Sequence, residues 1–260
     1  MVDVEAYLRR IDYRGNREPS IETLRALHLA HMRAVPFENI DIYFKRRRLD
    51  LDEAAFFDKV VCERRGGFCY ELNGLFAWLL RQLGFDVHYL SGRVVDKGVE
   101  GPEFDHLLLF VPVEGRRMLA DVGFGDSSRS PLDLDEAGPQ GDPPGAWKIE
   151  HDADGDCTMS GRGAGDKWSP AYRFTLRSRQ FEEFAEMCLH HQVSPDSHFT
   201  QGHVCSKPTA EGRITVSGNR LIVMRDGKRT ITRVSDDAAW RALLRDSFGV
   251  EFGELRGPAI

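Results

Sequence analysis

An α+β fold is the class this sequence predicts, and three observations predict it. Apolar residues recur at helical spacing through residues 1–84. Strand-favouring runs broken by turn signals take over from residue 85. The last part reads as helix, three short strands, helix. The expected units are a helical bundle over 1–84, a strand-rich centre with a connecting segment over 85–190, and an α/β segment over 191–260.

The elements follow in order. Val4, Tyr7, Leu8 and Ile11 mark a first helix. Ser20 caps a second that runs through Leu24 and Leu27 towards Val35, where Pro36 stops it. Asp50 and Glu53 resemble a capping box before Phe56, Phe57 and Val60. A further helix starts after Gly66-Gly67, carries Cys69, Leu72, Leu75, Phe76, Leu79 and Leu83 on its face, and ends at Gly84.

From there the pattern reads as strands. Phe85 to Val95 is one, and His106 to Val113 and Arg117 to Val122 form a pair about a Glu114-Gly115 turn. Trp147 to Glu150 and Tyr172 to Leu176 are shorter candidates. Residues 125–146 and 151–170 are rich in turn formers, Gly155, Gly161, Gly163 and Gly165 among them, and read as connections. Phe181 to His191 reads as a helix, stopped before Pro195. Arg213 to Val216, Arg220 to Met224 and Arg229 to Val234 form a meander, and a helix over Asp236 to Phe248 closes the chain.

Composition narrows the function. The chain has 260 residues, enough for two or three packed subdomains, and a formal net charge of -6. That charge argues against a nucleic-acid partner, which calls for a concentrated basic face. The run Lys45-Arg46-Arg47-Arg48 is short: a solvated segment, or a local anion site for a phosphate-bearing cofactor. No apolar run approaches the roughly 20 residues of a membrane span. The N-terminus MVDVEAYLRR carries no apolar signal region, so a cytoplasmic enzyme is expected. The five cysteines, an odd number, suit free thiols in a reducing compartment. No Cys-x-x-Cys pair occurs. His190-His191, His198 and His203 lack the His-Glu-x-x-His arrangement, so no metal is expected.

The segment Arg64-Arg65-Gly66-Gly67-Phe68-Cys69-Tyr70-Glu71-Leu72-Asn73 is the most informative. Two glycines permit a sharp turn with close backbone approach. A cysteine at the following helix start meets unsatisfied N–H groups that stabilise a thiolate. Taken alone, the same pattern also suits a buried packing cysteine. His106 opens an apolar strand and Asp121 closes the next one. An antiparallel pair could bring these ends together, and the earlier helix end could pack against them as a Cys69–His106–Asp121 constellation. Separately, His106 also fits a surface position and Asp121 a turn cap.

At these residues the chain resembles the arylamine N-acetyltransferase family. The likeness covers Arg64 through Asn73, Asp105-His106, Asp121-Val122-Gly123-Phe124-Gly125, Val35-Pro36-Phe37-Glu38-Asn39 and Ser194-Pro195-Asp196-Ser197-His198-Phe199. It implies a central β-barrel-like domain, a C-terminal α/β lid and a cysteine-protease-like triad geometry. It implies Cys69, His106 and Asp121 as the catalytic triad, acetyl-CoA as donor, and small aromatic amines, hydrazines or N-hydroxyarylamines as acceptors, whether met in xenobiotic metabolism, catabolism or biosynthesis. Gly125 and Ser127 are then expected to present donors to coenzyme A, while Phe37, Phe68 and Phe124 line the pocket. Glu38 and Arg64 fit either a buried pair beside the nucleophile or a solvated or capping role. The rival readings are a cysteine hydrolase or transglutaminase-like enzyme, an amide synthase that closes a macrocycle, and a binding protein on the same architecture.

Overall fold

The computed structural model describes residues 2–45, 47–141, 145–163 and 167–253. Arg46 of the basic run and Gly165 of the second connection lie outside them. The helical region holds α1 (Val4–Arg10), α2 (Ile21–Ala34), α3 (Ile40–Tyr43), α4 (Glu53–Phe57) and α5 (Cys69–Gln82). Ser20 caps α2 by accepting the Thr23 N–H at 3.1 Å. Asp52, not Asp50, caps α4, accepting the Ala54 N–H at 3.0 Å. Helix α5 is buried from Cys69 through Leu80. A helix buried on every side belongs in the middle of the fold, and α5 packs against α4, α1 and the strand His106–Val113.

The strands are β1 (Phe37–Glu38), β2 (His88–Asp96), β3 (Val99–Glu100), β4 (His106–Val113), β5 (Arg116–Ala120), β6 (Leu132–Asp133), β7 (Ala146–His151), β8 (Cys157–Arg162) and β9 (Ser169–Phe174). Beyond them lie α6 (Ala185–Val193), α7 (His198–Gln201), β10 (Val204–Pro208), β11 (Gly212–Ser217), β12 (Arg220–Arg225), β13 (Lys228–Arg233) and α8 (Asp237–Leu243). The large sheet runs β6-β5-β4-β2-β9-β8-β7, with β3 beside β2. Its ends nearly close into a barrel through Gln140. The Gln140 backbone exchanges two hydrogen bonds with Trp147 at the β7 end, at 2.6 and 2.7 Å. The Gln140 side chain exchanges two more with Asp133 of β6, at 2.7 and 2.8 Å.

The second sheet has the order β1-β10-β11-β12-β13, so its first strand comes from the helical region. Phe37 pairs with Ser206 on one side and bridges to Gly67 on the other. Besides the two-residue strands β1, β3 and β6, two longer strands lie where the sequence pattern read connections or loop: β8, within the turn-rich 151–170 stretch, and β10. Thr158, Ser160 and Gly161 break the apolar alternation of β8, which holds because β7 and β9 pair with it on both sides. Strand β10 owes its place to β1 and β11 in the same way.

Candidate active site

The turn before α5 is built by close packing. A Cβ on Gly66 would stand 2.0 Å from the Pro36 carbonyl oxygen, and one on Gly67 would stand 2.7 Å from Glu71 Oε2. The left-handed residue there is Arg64, at φ 55°. Glu71 accepts the Phe68 N–H at 3.1 Å, tying off one free amide of the helix start. Beneath lies a buried ionic cluster. Lys59 reaches Glu71 at 2.8 Å and Asp41 at 3.2 Å, and Arg65 reaches Glu38 at 2.7 Å and Asp41 at 3.3 Å. Glu38 thus pairs with Arg65, and the Arg64 of the sequence expectation is exposed. The left-handed turn at 64 sends that side chain outward and its neighbour inward.

Cys69 is the first residue of α5 and is buried. Burial pushes the thiol well above its usual value. The Leu107 N–H opposes that, and the Asp105 and Asp121 carboxylates add to it. A lone thiolate is therefore disfavoured here, and an anion at this sulfur needs a cation beside it.

His106 opens β4 and Asp121 follows β5, joined by Nε2 and Oδ2 at 2.9 Å. The other ring nitrogen, Nδ1, stays clear of that bond. Asp121 is held on every polar atom. Its Oδ1 accepts Asn73 Nδ2 and the Gly123 N–H, both at 2.9 Å. Its Oδ2 also accepts the Tyr172 hydroxyl at 3.0 Å. Burial alone would raise this carboxyl, but His106 and the donors outweigh it and hold it below the usual range. Tyr172 titrates far above its usual value, from burial and then from Asp121, and so remains a neutral donor.

The aromatic candidates divide. Phe124 sets its ring edge-on to His106 at 5.2 Å and to Tyr172 at 5.1 Å. Phe68 and Phe37 meet Phe199 of α7 at 5.9 and 6.2 Å. Phe68 is fully buried, whereas Phe37 is half-buried. Gly125 has φ +83°, and a Cβ there would press on the Phe37 ring at 3.2 Å. Ser127 is buried, and its hydroxyl donates inward to the Asp121 carbonyl at 3.1 Å. That proton is therefore spent on the protein and not on a ligand.

A cleft of about 530 Å³ begins at Phe124 and runs between the two sheets. Trp147 forms part of its wall, and among the described residues Arg129, Arg162, Lys167 and Arg213 line it against one carboxylate, Asp126. Arg213 donates to the Gly125 carbonyl and pairs with Asp126 at 3.0 Å.

Sequence reasoning missed Tyr172, Asn73 and His28 as parts of the site. Asn73 lies one helical turn beyond Cys69 on the same face of α5, a signal that periodicity contains. Tyr172 and His28 come from distant segments and carry no such signal. Among the described residues no three His, Cys, Asp or Glu side chains are grouped to hold a metal, and no helix is long and apolar enough to cross a membrane.

A thiol at a helix start beside a histidine–aspartate pair, on this two-sheet α+β scaffold, is the arrangement of thiol-nucleophile enzymes, hydrolases and transferases alike. Known proteins give the family. The family model described as N-acetyltransferase matches residues 20–256. The arylamine N-acetyltransferase of Mycolicibacterium smegmatis is 36% identical, over 98% of this chain and 94% of its own. The solved arylamine N-acetyltransferase from Salmonella typhimurium superposes with a TM-score of 0.90 at 32% identity, over 98% of this chain and 94% of its own. The Mycobacterium marinum arylamine N-acetyltransferase, solved in complex with CoA, gives 0.89 at 31% identity, over 95% and 93%. This chain is an enzyme of the arylamine N-acetyltransferase family.

Proposed function

We propose that this enzyme transfers an acetyl group from acetyl-CoA to an arylamine, arylhydrazine or N-hydroxyarylamine, with Cys69 as nucleophile, His106 as its base and Asp121 as the group that orients and charges the imidazole. The observation that carries the reading is the His106–Asp121 bond through Nε2. It leaves Nδ1 for the thiol proton. The imidazolium so formed sits against a carboxylate that is already ionised. Proton transfer inside the pair creates no net charge, so burial opposes it far less than it opposes a lone thiolate.

The Cys69 thiolate attacks the thioester carbonyl. The acetyl–sulfur bond of the donor breaks, and the departing thiolate takes the proton that His106 carries. The amine then attacks the acetyl-cysteine carbonyl and gives its proton to His106, and Cys69 leaves as thiolate. The order is ping-pong. The cleft supports a phosphate-bearing donor: among the described residues four cations face one carboxylate there, and its inner end is the aromatic ring on His106. Phe37, Phe68 and Phe124 supply the apolar wall for an aryl acceptor. Gly125 remains a candidate for close backbone approach to coenzyme A, and Ser127 serves the donor site through its backbone.

Intact mass after brief exposure to acetyl-CoA tests the reading. One acetyl on the parent and none on Cys69→Ala, discharged by an arylamine and slowly by water, is expected. A folded parent that takes no acetyl overturns it.

A further inference from the structure

We propose that His28 of α2 is a positioning residue for the reaction: it fixes the Asp121 peptide, and with it the loop that runs to Arg129, from the side away from the substrate. The proposal rests on the assignment of Asp121 as the orienting carboxylate. His28 is fully buried and lies edge-on to Phe76 at 6.1 Å. Its Nδ1 stands 3.1 Å from the Arg129 carbonyl oxygen, and its Nε2 lies 3.3 Å from the Asp121 amide nitrogen and 3.2 Å from the Asp121 carbonyl oxygen.

One tautomer of a neutral imidazole satisfies both ends. Nδ1–H donates to the Arg129 carbonyl, and the Nε2 lone pair takes the Asp121 N–H. The opposite tautomer would donate Nε2–H to the Asp121 carbonyl, which the Ser127 hydroxyl already serves, but would set a lone pair against the Arg129 carbonyl and leave the Asp121 N–H without an acceptor. Burial keeps the ring neutral, with its pKa pulled down to about 4 against the pull of the Arg129 carbonyl and the Asp121 carboxylate.

The Asp121 amide needs this partner. The β4–β5 ladder ends at the Leu109–Ala120 pair, so no neighbouring strand receives the next N–H. The same peptide carries the carboxylate on which His106 and Tyr172 converge, and its carbonyl takes the Ser127 hydroxyl. His28 therefore closes a ring that contains Asp121, Phe124, Ser127 and Arg129. Arg213 holds the same loop from the other side, at Gly125 and Asp126. Without His28, the Asp121 amide and the Arg129 carbonyl both lose the bond to this ring, and the loop is held from outside by Arg213 at its middle.

The test compares three changes in the full chain. His28→Gln keeps one donor and one acceptor on a side chain long enough to reach. His28→Asn keeps them on one that is too short. His28→Leu removes both. The readout is single-turnover acetylation of Cys69 at varied acetyl-CoA, with thermal unfolding in parallel. We expect the Leu and Asn variants to lose about tenfold or more in the saturating rate, at least the worth of one of the two buried hydrogen bonds. The donor concentration at half-saturation stays near the parent value, and the Gln variant recovers most of the loss. A purely structural role would lower melting temperature without that split and without recovery by Gln. Folded Leu and Asn variants at the parent rate overturn the inference, as does a Gln variant no faster than Asn. If the Leu variant fails to fold, the Gln–Asn comparison decides. If the parent itself takes no acetyl, the functional reading is what fails. Iodoacetamide alkylation of Cys69 in the same variants then reads the geometry: unchanged rates across them reject the role of His28, and slowing in Asn with recovery in Gln supports it.

Discussion

The Tyr172 hydroxyl and the His106 ring meet on one carboxylate oxygen, Oδ2 of Asp121, at 3.0 and 2.9 Å. Two donors on a single oxygen fix the carboxylate in two directions at once. The tyrosine also withdraws electron density from the oxygen that faces the histidine.

Tyr172→Phe removes that donor and keeps the ring against Phe124 and His106. Asp121 then becomes more basic and freer to rotate. The acetylation rate is expected to fall several-fold to about tenfold, the usual worth of a hydrogen bond to a charged group. Asp121→Asn is expected to cost far more, about a thousandfold, because an amide can present its N–H to His106 and select the wrong tautomer. Rapid-quench measurement of CoA release checks both. Equal losses in the two variants would contradict the assigned roles.

Lys59→Met leaves the buried carboxylates Glu38, Asp41 and Glu71 with Arg65 as their remaining fully buried counter-ion. Removing one partner of a buried ion cluster costs about 3–5 kcal/mol. Urea unfolding is expected to show a loss of that order. A change below about 1 kcal/mol would mean that the cluster is better solvated than its burial implies.

Histidine burial sets an acid limit. His28 and His203 are both pulled by burial from an ordinary 6.5 to about 4. The unfolded chain takes up these protons first, so stability is full above pH 6.5 and falls as the pH drops towards 4. His28 alone contributes about 3 kcal/mol over that window. Chemical denaturation at stepped pH is expected to show the loss beginning near pH 6.5. A flat profile down to pH 5 would refute it.

Gly123→Ala tests the contact between the Asp121 loop and the nucleophile helix. A Cβ there would lie 2.7 Å from Asn73 Nδ2 and 2.8 Å from the Cys69 Cα. The backbone must move apart, and activity is expected to fall by more than stability does. Melting temperature and single-turnover rate measured on one sample separate the two.

Much of this arrangement was legible because local chemistry agrees with the fold. Ser20, Pro36, the Glu114-Gly115 turn and the apolar face of α5 each mark an element where the structure has one. The positions of Cys69, His106 and Asp121 at the ends of their elements follow from the same marks. Strands β8 and β10 were hidden, because tertiary pairing there overrides a weak pattern. Tyr172 and His28 were hidden for another reason. Each meets Asp121 across a long stretch of chain, and no spacing rule reaches that far. The Arg64–Arg65 choice turned on a single left-handed residue, which a sequence of two adjacent arginines does not display.

Strand β1 has a consequence for how the protein comes off the ribosome. Phe37 lies between Gly67, two residues before the thiol, and Ser206, near the other end of the chain. A nascent chain that has released its first half has the helices and the cysteine but lacks the strand that pins this turn from outside. The reactive corner is thus finished only when β10 has been translated and has docked. Incomplete chains would carry the thiol without its final setting.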